Sequence, residues 1–132
     1  MLRSLLKSEK SSEGFTIIEV LIAMGILSVG LLAVGSLLVS IMGYNKSAAH
    51  VTAATTLAQD KIEKFKNTFY DSITTPADET GIDAEGNAGG IYTRQTLVAA
   101  DTPGANMKEV SVTVSYTWKG AQSVTLKTII AK

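Results

Sequence analysis

Cysteine is absent from the 132 residues. That excludes disulfides, thiolate nucleophiles, cysteine metal sites and attachment of lipid to a cysteine. It leaves the compartment open, because an exported protein need not carry a disulfide. Proline occurs only at Pro76 and Pro103, so no proline interrupts a helix over the first half of the chain. Formal net charge is zero and no basic patch stands out, which argues against nucleic acid as a partner. His50 is the single histidine, and no GxSxG, phosphate-binding loop or histidine–acid cluster accompanies it. A lone histidine on a helix flank is a surface or satisfied residue before it is a catalyst. The chain therefore reads as a non-enzyme, with no cofactor implied.

What the chain does have is apolar length. The segment "GFTIIEVLIAMGILSVGLLAVGSLLVSIMG" runs from Gly14 to Gly43 and contains one charge, Glu19. Uncharged chain from Val20 to Gly43 would span roughly 36 Å as a helix, against a hydrocarbon core of about 30 Å. A cleavable secretory core is about 7–15 residues, so this run is too long to be one. Arg3, Lys7 and Lys10 precede it, while Lys46 and His50 follow. The excess of lysine and arginine ahead of the span places Met1 on the cytoplasmic side and the chain beyond Gly43 on the other. Tyr44 reads equally as an interfacial anchor or as a helix-surface tyrosine. The short polar start, "MLRSLLKSEKSSEG", does not read as part of a fold. A basic leader, a glycine and then an uninterrupted apolar helix is the pattern of a targeting segment cut ahead of the apolar stretch.

Gly14, Phe15, Thr16, Ile17, Ile18 and Glu19, followed by "VLIAMGIL", resemble the type IV prepilin family, which includes the pseudopilins of type II secretion. The resemblance is firm from Met1 to about Tyr44, weakens to about Tyr70 and beyond that is one of general architecture. It implies that a membrane peptidase cuts after Gly14 and N-methylates the new terminal residue, Phe15. Glu19 is then the fifth residue of the mature chain. The cut also exposes the Phe15 amine, and Glu19 at i+4 lies on the same helix face. A lone carboxylate at mid-bilayer costs on the order of 2.5–3.5 kcal/mol. The cost is smaller at a helix start, where the dipole favours negative charge. Burial in a dry filament becomes costly again unless an opposite charge offsets it. Glu19 is thus expected to pair with a Phe15 amine; the resemblance points to a neighbour's, which sets assembly register. The plainer reading is an interfacial glutamate with no special role.

Gly25, Gly30, Gly35 and Gly43, with Ser28, Ser36 and Ser40, interrupt the apolar run. Small residues allow close helix approach in membranes. Where many family members carry a helix-breaking proline, this chain has Ser36, so any local melting is expected around Gly30 and Gly35. Beyond the span, Val51, Ala54, Ala58, Ile62, Phe65 and Phe69 recur at three- and four-residue steps, the mark of a helix with one apolar stripe. Asp71 to Gly90 reads as an acidic loop containing Asp78, Glu79, Asp83, Glu85 and Asn87. Clustered oxygens suit calcium, but "DAEGNAGG" does not match an EF-hand loop, and a solvated loop is the simpler reading. Strands are expected at Ile91–Ala99, Glu109–Trp118 and Ser123–Ile130, with "KGAQ" as the turn between the last two. Val110, Val112, Val114, Tyr116 and Trp118 share one face of the second strand, and Val124, Leu126 and Ile130 one face of the third.

The expected class is α+β: a long N-terminal helix, transmembrane in its first half, packed on a small antiparallel sheet of three to four strands. The divisions are a leader over 1–14, a transmembrane and assembly helix over 15–44, its amphipathic continuation over 45–70, and a β domain over 71–132. Major pilins of the family often close a C-terminal loop with a disulfide; without cysteine, the Ser123–Ile130 strand has to hold the chain's end. The resemblance implies a structural subunit of a pilus-like filament, and "GFTIIEVLIAMGILSVGLL" with "LAQDKIEKFK" is most similar to the V-type minor pilins. Small type II secretion pseudopilins, especially the I type, look similar. A major pilin and a single-span anchored periplasmic domain are lesser alternatives. The implied partners are the prepilin peptidase, other pilins or pseudopilins along Phe15–Gly43, an inner-membrane assembly platform with its ATPase, and membrane lipid before assembly. The implied location is the bacterial inner membrane, with the C-terminal part periplasmic, and then the filament.

Overall fold

A computed structural model describes residues 14–132. The leader expected over 1–14 lies, apart from Gly14, outside the described residues. In chain order the elements are helix α1 (Ile17–Lys66), a 3-10 turn at Tyr70–Ser72, and strands β1 (Glu79–Ile82), β2 (Ala88–Ala100), β3 (Met107–Thr117) and β4 (Ala121–Ala131). The architecture is α+β, with four strands. Two compact units divide within α1, one ending at Ile41 and the other beginning at Met42.

In the first unit every described side chain is exposed, and the helix there is long and apolar enough to cross a membrane. Leu, Ile, Met and Ala favour the helix, and its glycines each cost about 1 kcal/mol against alanine. The hydroxyls are satisfied within the helix. Ser28 Oγ donates to the Met24 carbonyl at 2.7 Å, Ser36 Oγ to Ala33 at 2.8 Å and Ser40 Oγ to Ser36 at 3.1 Å. Such back-bonding is what lets serine sit where no water is available.

The second unit is an antiparallel meander, β1-β2-β3-β4, covered on one face by α1 from Met42 onward. Alternation of buried and half-exposed residues along β3 buries Val110, Val112, Val114 and Tyr116. These meet Ala54, Leu57, Ala58 and Ile62 of the helix, with Ile73, Ile82 and Tyr92 closing the core. Ala54 and Ala58 are fully buried. Their small side chains, one turn apart, let the helix backbone approach the sheet.

Two expectations are corrected. The apolar stripe does not include Val51, which is 44% exposed, or Phe69, which is 88% exposed; Leu57 joins it instead. The helix ends at Lys66. Thr68 N–H donates to the Phe65 carbonyl in a tightened last turn and its hydroxyl donates to Lys64, which turns the chain away before Phe69 can reach the sheet. The loop expected over 71–90 also contains β1, paired with β2 as Glu79↔Arg94 and Thr80↔Thr93. Its Gly81 has φ +66°, an irregularity that hides the strand from a period-two reading. Gly90 is required opposite it, since a Cβ there would collide with the Ile82 carbonyl and the Asp83 backbone.

The C-terminus is held without a disulfide. β4 pairs with β3 along its whole length, from Thr117↔Ala121 to Met107↔Ala131. Lys132 N–H then donates to the Asn106 carbonyl at 3.0 Å, and its Nζ lies 3.2 Å from Asp71 Oδ1. Lys108 Nζ donates to the carbonyls of Tyr70 and Ile73, fastening the 3-10 turn to the sheet.

Candidate assembly site

Thr16 immediately precedes α1 and Glu19 occupies its first turn. Glu19 Oε2 accepts hydrogen bonds from Thr16 N–H and Thr16 Oγ1, both at 2.9 Å, while Glu19 N–H donates back to Thr16 Oγ1 at 3.3 Å. This is a reciprocal capping box: the threonine serves the helix's free N–H and the glutamate serves the threonine's. The pair was legible as T-x-x-E ahead of an apolar run, but the sequence reading assigned Glu19 only an ionic partner. Glu19 Oε1 accepts no hydrogen bond among the described residues. Phe15, Glu19, Ala23, Met24 and Leu27 line one shallow apolar groove on this face, so the carboxylate is set in an otherwise greasy surface. Gly30 and Gly35 lie within unbroken helix, with open space where a Cβ would stand.

Residues 10–35 match the family model described as the prokaryotic N-terminal methylation motif. The chain carries the type IV prepilin signature. The match covers residues 10–13, Gly14, Phe15, the capping box and the apolar helix through Gly35. No curated protein and no solved structure matches the chain. The motif indicates a type IV pilin or pseudopilin-like protein, a family of structural subunits, and implies processing by a prepilin peptidase and assembly with other pilins. An exposed apolar helix at the N-terminus is consistent with membrane anchoring.

Two constellations in the second unit were not read from the sequence. Arg94 is 3% exposed and stands between helix and sheet. It donates from Nε to Glu79 Oε2 at 2.7 Å, from Nη2 to Glu79 Oε1 at 3.0 Å, and from Nη1 to the Leu57 carbonyl at 2.9 Å. Lys61 Nζ lies 3.1 Å from Glu79 Oε2. The Arg94 hydrogen bond, reinforced by Lys61, pulls the Glu79 carboxyl down to about 2 against the opposing cost of burial. This network is structural: it joins β1 to β2 and both to α1.

His50 is the second surprise. It is half-buried, and its Nδ1 shares a 2.9 Å hydrogen bond with the Tyr92 hydroxyl. Its ring lies 5.0 Å from that of Trp118 and 5.6 Å from that of Tyr116. Burial, with Tyr116 and Glu85 adding, raises the Tyr92 hydroxyl above its ordinary value. In the acidic loop, Asp83 Oδ1 accepts from the N–H of Glu85 and of Asn87. Those bonds outweigh desolvation and lower its carboxyl's pKa. Asp83 is thus used to shape its own turn. Among the described residues no group of His, Asp and Glu is gathered for a metal ion.

Proposed function

We propose that this chain is a minor pilin: a subunit cut after Gly14, N-methylated on Phe15 and built in low copy into a type IV pilus-like filament. The observation that carries the reading is the methylation motif at residues 10–35, in which Glu19 is the acid in the first turn of an exposed apolar helix. The resemblance of "GFTIIEVLIAMGILSVGLL" and "LAQDKIEKFK" to V-type minor pilins favours that subtype over an I-type pseudopilin. Before assembly the helix holds the subunit in the inner membrane, with residues after Gly43 in the periplasm; an assembly platform then extracts it into the filament.

Within this reading Glu19 has two tasks. Thr16 occupies Oε2, and Oε1 is open to a second donor. A Phe15 amine delivered by a neighbouring subunit fits that need: the buried carboxylate gains an opposite charge, and subunits out of register leave it unpaired. Gly30 and Gly35 give the helix a place to loosen during packing.

Intact mass and N-terminal sequencing, on protein from the native membrane and from sheared surface filaments, test the proposal. A chain starting at methylated Phe15 and present in sheared filaments is expected. Processed chain that never leaves the envelope points to a pseudopilin instead. Unprocessed chain confined to the membrane removes filament assembly and leaves an anchored domain. Gly14→Ala is still cut, whereas a bulky residue at 14 blocks cutting. Glu19→Ala is cut but assembles poorly; normal incorporation of that variant would sink the register argument.

A further inference from the structure

The β3–β4 hairpin turns through Trp118, Lys119 and Gly120, between the paired residues Thr117 and Ala121. Lys119 and Gly120 both have positive φ, 50° and 121°, which drives the chain back sharply and leaves Lys119 exposed at the tip. That tip lies against the start of the second unit. A Cβ on Gly43 would stand 3.1 Å from Lys119 Nζ, and Lys46 Nζ sits 5.7 Å from the centre of the Trp118 ring. Two ammonium groups and one tryptophan are therefore gathered beside the end of the apolar run, which the 75%-exposed Tyr44 follows in the chain. Neither Lys46 nor Lys119 forms an ion pair among the described residues, unlike Lys61, Lys64, Lys127 and Lys132.

We infer that Lys46, Trp118 and Lys119 form a docking surface for the phosphate headgroups of anionic phospholipid, in the bilayer leaflet the chain leaves after Gly43. This rests on the reading of the apolar run as a membrane span. Three features argue for lipid. Gly43 is the last residue of that run, and Lys46 follows it by one helical turn, within reach of the headgroup layer. Tyr44, 75% exposed just after Gly43, suits the boundary between hydrocarbon and headgroups, with an apolar body and a polar tip, while half-buried Trp118, its indole N–H covered, offers its ring to Lys46. Unpaired lysines beside a membrane bind anionic lipid, each raising the affinity about fivefold at low salt, and are screened within a Debye length. The packing of Trp118 on His50 fixes the hairpin to the helix, so both lysines are presented together. Before assembly, such a contact would hold the sheet down on the membrane; leaving for a filament would require its release.

Trp118 is the chain's single tryptophan, and so reports on its own surroundings. The full chain would be reconstituted in nanodiscs of phosphatidylcholine, or of phosphatidylcholine with phosphatidylglycerol, each containing a headgroup nitroxide lipid as quencher. Stronger Trp118 quenching is expected in the anionic discs, with the excess abolished by high salt. The excess should fall by roughly half or more in Lys46→Gln/Lys119→Asn; asparagine is chosen because it tolerates the left-handed position. Lys127→Gln, on β4 and paired with Glu109, should leave it unchanged. Chain that inserts but is quenched equally in both discs, at every salt concentration, overturns the inference alone. So does lipid-independent carbodiimide coupling of either lysine to an acid of a second copy, which would make the patch a subunit contact. Chain that fails to enter discs overturns the span reading, and this inference with it.

Discussion

Arg94 and Glu79 face each other across the β1–β2 pair, with Nε 2.7 Å from Oε2 and Nη2 3.0 Å from Oε1, while the third nitrogen of the guanidinium reaches into the helix at Leu57. Removing the acid leaves a buried cation partly unpaired. Glu79 is 34% exposed and Asp60 Oδ2 stays 3.7 Å from Nη1, so Glu79→Ala is expected to destabilise the folded protein by about 1.5–3 kcal/mol, the worth of hydrogen bonds to a charged group. Thermal unfolding of the detergent-solubilised full chain measures it. A loss as small as that of an exposed pair, under about 1 kcal/mol, would contradict the structural role given to the network.

The same pair sets an acid dependence. The Glu79 carboxyl titrates near 2 in the fold, against an ordinary 4.5. The native state therefore keeps its charge where the unfolded chain takes up a proton. Its stabilisation is complete above about pH 4.5 and is lost as pH falls towards 2. Denaturation midpoints followed from pH 6 down to pH 2 should decline through that window, and more shallowly in Glu79→Gln.

Much of this fold was open to reading, and the failures have physical causes. Val110, Val112, Val114 and Tyr116 alternate without interruption, so β3 and its buried face were plain. Ser123–Ile130 likewise foretold β4. β1 was missed because its four residues include Gly81 in a left-handed conformation, and because pairing with β2, not local preference, makes it a strand. The candidate assembly site was proposed from a spacing, Gly14–Phe15–Glu19. Thr16 was passed over although its hydroxyl is what engages Glu19. Arg94 and His50 could not be placed, since their partners lie 15 to 42 residues away and nothing local marks them.

The helix–sheet contact should be intolerant of bulk. Ala54 and Ala58 are fully buried, and a longer side chain must push the helix off β3. Ala58→Leu is expected to cost about 1–3 kcal/mol, the usual range for overpacking. Chemical denaturation of the full chain would detect it, and an unchanged midpoint would mean the contact is loose.

Lys108 on β3 fastens the Tyr70–Ser72 turn to the sheet. Its ammonium satisfies the Tyr70 and Ile73 carbonyls and stands 4.6 Å from the Tyr70 ring centre. Lys108→Met keeps the stem and removes the donor. The expected loss is about 1.5–3 kcal/mol for hydrogen bonds to a charged group, with faster amide exchange confined to residues 70–75. Uniform acceleration across the sheet would argue against a local fastening.

The Thr16–Glu19 box should be separable from Glu19's charge. Thr16→Val retains the shape but loses the hydroxyl, at a cost of about 1 kcal/mol to the first turn, seen as faster amide exchange of residues 17–20 in micelles. Thr16→Ser should behave as wild type. If Thr16→Val leaves those amides protected, the box does not hold the helix start.

The strand order of the meander, β1-β2-β3-β4, is also the order of synthesis. Each strand meets its partner through the next turn, and none waits for a distant segment to return. Sheets wired this way pay little loop-closure entropy and fold faster than those built on long-range pairings. The helix segment that covers the core precedes the strands, so each hairpin closes onto a lid already made. The second unit is therefore expected to form by local steps, each turn bringing in the next strand.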